Sequence, residues 1–576
     1  MNQRLLNTAC PEESIWSPLG ENTFRQVAVE LALATGECPW DADIGLIPLN
    51  GKQQADLLPE SVLPLNQKLY RSLYKLPYTI EARLASDCAF IAANQEAVFS
   101  VTAVCIEQSL DSDGHLTGLT LRFAANEGIN DELKGSMQSI LQALSCSAIT
   151  RDQAVDVVFA QIVSLNRSRV LQRVRKAVGH PPIFREKGRT RTNPDDRLLR
   201  AFQRMQKSKL TSAGHRLIER GLEVNASLLA FLKDITIEDT QHGTDDVLHR
   251  LQDISRNCYE VTTDKGRTPF KELLVESGLN AHLWLKSKYV GEVDKIGAYW
   301  RIANSLVEIF QWLHSQREPG LGPLSLAMEV VQPYVSVTRE PSIQGRPMRV
   351  YVHAEIQLLC HYLEMERQSD VAGSRGPRSG HTTNLPPRVV GASKSACFLC
   401  FLCLKSHGGL IPPPTHGRLY DQWTIPDLAE YAPQQVQALR QTIARMSDAM
   451  MRIRAEYSLK RQRDHPMTSR VDIDRLSVFP LHDEEASTLE AGADRNLTND
   501  NGSMVDETQH QTAVKASSRQ NDDKLSSPAE ESTGHSVKCG FRHLSALLHS
   551  IRTALGRMTA RKSPRREDNL HEVAAT

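Results

Sequence analysis

The sequence predicts a mostly α N-terminal region, then an α/β domain, then a disordered C-terminal tail. Three observations lead there. From about Thr23 to Gln316, apolar residues recur at three- and four-residue spacing. After Gln316, β-rich runs alternate with helical patterns. From about His482 the chain turns polar, with few branched aliphatics. At 576 residues the chain is longer than one typical core, so two or more domains are expected.

The N-terminal region, 1–290, reads as mainly helical. "LYRSLYKLPYTIEARLASDCAFIAANQEAVFSVTAVCIEQSL" has helical spacing and too few turn signals for a sheet. "GSMQSILQALSCSA" and "DVVFAQIVSLNRSRVLQRVRKAV" read the same way, as does "YWRIANSLVEIFQWLHSQ" at 299–316, just past this region. Within this region, residues 166–220 hold sixteen Lys/Arg against four Asp/Glu, including "REKGRTR" at 185–191. The plain reading is a solvated helix face with a loop; the sharper one is a phosphate-contacting surface. Only Phe184 and Phe202 interleave with these charges, so base stacking there has little support.

The second region, 295–465, starts from β-rich runs near 328–338 and 347–352, separated by a Pro/Gly turn. A helix from His353 to about Arg367 is followed by a polar loop rich in Gly and Pro, 367–387. A short strand at 388–392, a helix opening near Ser395 and a long helical stretch after Asp427 complete it. In the tail, 482–576, residues 539–560 form an isolated basic amphipathic pattern followed by "RKSPRR". That pattern suits an acidic membrane surface, a partner, nuclear import or an inconsequential tail helix.

Bulk properties exclude several classes. Formal net charge is zero with 24 % charged residues, so the whole chain carries no global mark of a nucleic-acid binder. The N-terminus lacks a signal peptide's apolar core, and no window holds 18 uninterrupted apolar residues. An intracellular protein, cytoplasmic or nuclear, is expected, with no transmembrane segment. The eleven cysteines are mostly scattered singly, which suits reduced core thiols. The exception is the evenly spaced set Cys397, Cys400 and Cys403. There is no P-loop, no Gly-rich dinucleotide fingerprint and no HExxH.

The chemistry lies in two stretches, "RVYVHAEIQLLCHYLE" (349–364) and "RVVGASKSACFLCFLC" (388–403). Ionisable groups at a strand–helix junction, such as His353 and Glu355, have few structural excuses. A catalytic zinc commonly takes three protein ligands and keeps a fourth position for water, whose pKa it lowers. His353, Cys397 and Cys400 supply one imidazole and two thiolates as metal ligands. Cys397 and Cys400 lie at i, i+3, so at a helix start they point to one side, where the helix N-terminus favours thiolates. Glu355 is the candidate catalytic residue, a carboxylate placed to carry protons. Cys403 lies about 120° round a helix from Cys397, which makes a Cys400/Cys403 pair the weaker alternative. His407 and His416 could complete a structural site as a fourth ligand. Cys360 and His361 read as core and surface.

The order H-x-E followed by C-x-x-C, on strand–helix and strand–helix junctions, is that of zinc deaminases. The sequence here resembles the cytidine-deaminase-like superfamily. "YVHAEIQLL" with "PPRVVGASKSACFLCFL" is similar, more narrowly, to a divergent family expanded in filamentous fungi and related to bacterial toxin-type nucleic-acid deaminases. The resemblance covers about 295–465. It implies a three-layer α-β-α domain whose first helix is 296–316, whose first hairpin is the pair of runs before His353, and whose third strand is 388–392. It also implies zinc on His353, Cys397 and Cys400, with Glu355 as proton shuttle. Ser393 and Lys394 fit the "SK" that precedes the first cysteine in such proteins, and Ala396 departs from the usual Pro. Two functions are expected to compete. One is a zinc-dependent hydrolytic deaminase of a cytosine- or adenine-type base, in nucleic acid or nucleotide, with protein partners possible through the helical region. The other is a deaminase-fold interaction or regulatory protein with a structural or vestigial zinc site.

Overall fold

The computed structural model describes residues 4–5, 9–10, 12–39, 74–96, 100–145, 150–179, 197–234, 245–262, 289–317, 322–372 and 383–457. All fall within one compact unit, Met1–Asp483. The expected tail at 482–576 with its 539–560 segment, the "REKGRTR" stretch and residues 373–382 of the polar loop lie outside the described residues.

The chain begins with α1 (Glu21–Thr35), α2 (Tyr78–Ala92), β1 (Thr102–Leu110) and β2 (Leu116–Ala125). Among the described residues, seven helices follow: α3 (Asp131–Leu144), α4 (Arg151–Leu165), α5 (Arg167–Ala177), α6 (Arg197–Gln206), α7 (Ser212–Asp234), α8 (Asp245–Thr262) and α9 (Val290–Ser315). Then come β3 (Ser325–Val330), β4 (Val337–Arg339), β5 (Met348–Val350) and α10 (Ala354–Ala372). The last described elements are β6 (Thr383–Leu385), β7 (Gly391–Ala392), α11 (Phe398–His407) and α12 (Pro433–Tyr457). Local sequence sets several helix starts. Asn130 accepts from the Leu133 N–H ahead of α3, and Thr150 with Gln153 forms a capping box on α4.

The region before residue 290 is mostly helical, as expected, but it also holds the centre of the sheet. β1 and β2 pair as an antiparallel hairpin, with Val104 opposite Phe123 and Ile106 opposite Leu121. β3 adds to β2 in parallel, while β6 and β7 both pair antiparallel with β1. The sequence reading missed β1 because it is buried almost throughout, on both faces, so polar residues do not alternate along it.

The two faces feed two cores. Val104 and Ile106 pack with α2 and the helices from α3 to α9, including Phe90, Phe159 and Tyr299. Ala103 and Cys105 pack with α1, α10, α11 and α12, including Phe24, Leu358, Phe398 and Trp423. Helices therefore cover both faces of the sheet. Residues before and after 290 contribute to each core, so this boundary does not separate two packed bodies in the described structure.

Two further expectations are corrected. The runs before His353 pair with each other only where β4 meets β5, with Val337 opposite Val350, and this two-stranded ribbon stands apart from the main sheet, which β3 joins beside β2. The hairpin of the main sheet is 102–125. The helix lying on β1 and β7 is α2, whereas α9 packs mainly on α8, α4 and α5. Among the described residues, no helix is long and apolar enough to cross a membrane.

Gly391 lets α2 sit directly on β7. A Cβ there would lie 2.2 Å from the Ala85 carbonyl carbon and 2.3 Å from the Ser86 nitrogen, both backbone atoms. Backbone cannot yield as a side-chain tip can. Gly391→Ala is expected to destabilise the protein by about 1–3 kcal/mol, read as a lower urea midpoint. An unchanged midpoint would mean that the α2–β7 contact is looser than described.

Candidate active site

The segment carrying His353 is fixed by the end of the hairpin. The Ala354 N–H donates to Asn126 Oδ1 at 2.9 Å, capping α10 from a residue 228 positions away. The Gln357 amide donates to the carbonyls of Ala125 and Val352. The His353 carbonyl accepts from the Ile356 and Gln357 N–H groups, so His353 stands at the helix entrance with Glu355 in the first turn.

The cysteine segment is held as firmly. Ser393 exchanges bonds with the first residue of β1: its N–H donates to the Thr102 carbonyl, and its Oγ accepts from the Thr102 N–H. The Ala396 N–H donates to the Pro414 carbonyl at 2.7 Å. Proline at this position would lack that donor, which gives Ala396 a local reason. Cys397 is the N-cap of α11, and its Sγ accepts from the Cys400 N–H at 3.3 Å. The helix thus starts at Phe398, slightly later than expected.

These supports bring His353, Cys397 and Cys400 together. Their ligand atoms all lie within 4.8 Å of one another. His353 Nδ1 is 3.6 Å from Cys397 Sγ and 3.4 Å from Cys400 Sγ. Tetrahedral zinc with bonds of about 2.3 Å to sulfur and about 2.0–2.1 Å to nitrogen would place S and N about 3.5 Å apart. The residues present therefore fit zinc in ligand type and spacing. Glu355, which is 3 % exposed, reaches the same cluster: its Oε2 lies 3.6 Å from Cys400 Sγ.

Electrostatics within the cluster agree with its chemistry. Burial opposes ionisation of Cys397, yet the hydrogen bond from Cys400 and the facing His353 hold its thiol well below the usual range. Burial and the Cys397 thiolate push Cys400 the other way. Burial also pushes Glu355 up, towards the range in which a carboxyl can exchange protons.

Of the other candidates, Cys403 is buried on α11 but outside the ligand cluster. Neither His407 nor His416 joins the cluster. His407 Nδ1 accepts from the Gly409 N–H, and His416 Nδ1 from the Arg418 N–H. Burial lowers the His407 pKa to about 4. Cys360 is buried core, its thiol pushed up to about 12 by burial. Among the described residues, no fourth protein ligand approaches His353, Cys397 and Cys400.

The comparison with known families bears on the class. Residues 352–427 match the OTT_1508-like deaminase family. The match begins just before His353 and runs through Cys400 to the loop that cradles Ala396. No curated protein and no solved structure matches the chain. The chain thus carries a deaminase-family region with a His/Cys/Cys cluster able to hold a metal. Sequence reasoning missed Asn126 and Gln357, which position that region. Their only mark is a side-chain amide at a strand end or in a first helical turn, and their bonding partners are distant in sequence.

Proposed function

We propose that the protein is a zinc-dependent hydrolytic deaminase acting on a cytosine- or adenine-type base carried in a nucleotide or nucleic acid. The observation that carries this reading is a three-ligand cluster, His353, Cys397 and Cys400, with Glu355 against it and no fourth protein ligand among the described residues. Structural zinc sites close with four protein ligands, whereas catalytic ones keep a position open. The family match over 352–427 supports the same class.

His353, Cys397 and Cys400 would hold the metal. When bound, zinc supplies the Lewis acidity that makes water nucleophilic near neutrality. Glu355 carries the protons: it takes one from the attacking water, passes it to the ring nitrogen, and passes the next to the departing amine. Water replaces the exocyclic amine, and ammonia leaves. Asn126 and Gln357 keep α10 registered, so that His353 and Glu355 face the cysteines together.

The catalytic module in this reading is assembled from 78–125 and 325–457, a three-layer α-β-α unit with the helices α3–α9 inserted between its halves. The similarity of "YVHAEIQLL" and "SKSACFLCFL" to toxin-type nucleic-acid deaminases supports a phosphate-bearing substrate.

Elemental analysis of the purified full chain tests the metal centre. About one zinc per chain is expected, lost in Cys400→Ser. Wild type handled without chelators that contains no zinc would remove the mechanism.

A further inference from the structure

The basic run on α5 is not the solvated face that its charge suggests. Arg169 and Arg173 have side chains only 0 % and 4 % exposed. Arg169 Nη1 donates to the carbonyls of Phe90 and Ala93, closing the carboxyl end of α2. Both guanidinium groups donate through Nε to Glu96, and both lie over the Phe90 ring. Arg173 Nη1 also donates to the Lys295 carbonyl. The ammonium groups of Lys176 and Lys295 share Glu292, at 2.7 and 2.9 Å.

Lys394, on the segment leading to Cys397, joins the cluster. Burial lowers its pKa, the Glu96 carboxylate opposes that, and Arg169, Arg173 and Lys295 add to it as neighbouring positive charges. Lys394 makes no hydrogen bond or ion pair among the described residues. Five cations thus face two carboxylates, Glu96 and Glu292. Three buried atoms in the cluster also lack hydrogen-bond partners among the described residues: Arg169 Nη2, the Tyr299 hydroxyl and Glu292 Oε2. Helix capping accounts for the Arg169 bonds to α2. It accounts neither for the surplus positive charge nor for Lys394. Arg169 and Arg173 are buried and share one carboxylate, and buried charge without full compensation is costly, so this arrangement calls for an anion.

Its position says which anion. Lys394 stands three residues before Cys397, on backbone fixed by the Ser393–Thr102 exchange. The start of β1, the end of β7 and the end of β2, which holds His353 through Asn126, share this edge of the sheet. We propose that Lys394, Lys295, Arg169 and Arg173 form a phosphate subsite beside the metal centre, which receives a phosphate of the substrate. This rests on the deaminase reading and narrows its substrate to a phosphorylated base carrier, either a free nucleotide or a polynucleotide.

The test is calorimetric titration of the full chain with inorganic phosphate, in wild type, Lys394→Gln and Lys394→Arg, with zinc measured in every sample. Wild type binds, Lys394→Gln weakens binding at least about tenfold, and Lys394→Arg keeps most of it. Retained zinc in Lys394→Gln shows that the neighbouring fold is intact. Equal affinity in wild type and Lys394→Gln, or no binding to wild type, overturns the subsite. Displacement arms then name the source. Cytidine and adenosine should not displace phosphate. Displacement by their 5′-monophosphates points to a free nucleotide, and displacement by a short single-stranded oligonucleotide alone points to a polymer. If neither displaces it, the subsite does not serve the substrate and the proposal fails. A chain without zinc that still binds phosphate through Lys394 sinks the metal reading alone. A zinc-loaded chain blind to phosphate sinks the subsite alone.

Discussion

Glu355→Gln is expected to lower ammonia release by about 10²- to 10⁴-fold while leaving zinc content unchanged. The substitution keeps shape and removes only the ability to take and return a proton. Glu355 is nearly buried in the first turn of α10, and its Oε2 meets Cys400 Sγ rather than standing among the ligand atoms. Loss of a buried carboxylate that burial already pushes towards its neutral form should leave the melting temperature close to that of wild type. The paired measurement is turnover on cytosine- and adenine-containing substrates beside elemental zinc. Turnover lost with zinc retained assigns the proton work to Glu355. Unchanged turnover would remove Glu355 from the chemistry. A zinc-loaded wild type that releases no ammonia from any such substrate, with Glu355→Gln indistinguishable from it in every interaction assay, would favour a deaminase-fold interaction protein.

The cluster able to hold a metal was legible in the sequence because each half of it is local. His353 and Glu355 enter one helix, and Cys397 and Cys400 open another at a spacing that the helix N-terminus turns to one side. The sheet was less legible. β1 is covered on both faces, so the period-two alternation that marks a half-exposed strand is missing. The pairing of β2 with β3 joins Leu119 to Leu326, and the cap on α10 reaches back to Asn126. Such contacts follow from the folded topology and leave no local pattern. The α5 arginines mislead for a related reason. A charged residue reads as exposed unless its neighbours supply acceptors, and the acceptors of Arg169 are carbonyls of α2 and a glutamate about seventy residues earlier.

Arg388→Ala is expected to destabilise the protein by about 3–5 kcal/mol. Arg388 joins the strand segment leading to the cysteines to the first turn of α2. Its backbone N–H donates to Glu81 Oε1 at 2.9 Å, and its Nε and Nη2 donate to Oε2 at 2.8 and 2.5 Å. Nη2 also donates to the Leu76 carbonyl, and the guanidinium lies 4.1 Å from the centre of the Tyr74 ring. The Glu81 side chain is fully buried, so removing Arg388 strands a carboxylate away from water. Removing both partners should cost less than removing one, and a Glu81→Leu/Arg388→Met pair should recover part of the loss. The pH dependence follows from the direction of the shift. Burial pushes the Glu81 carboxyl above its ordinary value against the pull of Arg388, and without Arg388 it rises further. A folded-state pKa above the unfolded one means that the folded variant binds the extra proton. The variant's stability is therefore greatest below the ordinary carboxylate range and falls as pH rises through the folded pKa. Urea midpoints of wild type and Arg388→Ala should converge near pH 4–5 and separate towards pH 8. A constant gap across that range would show that the loss comes from packing on Tyr74 and the Leu76 carbonyl bond, and not from an uncompensated charge.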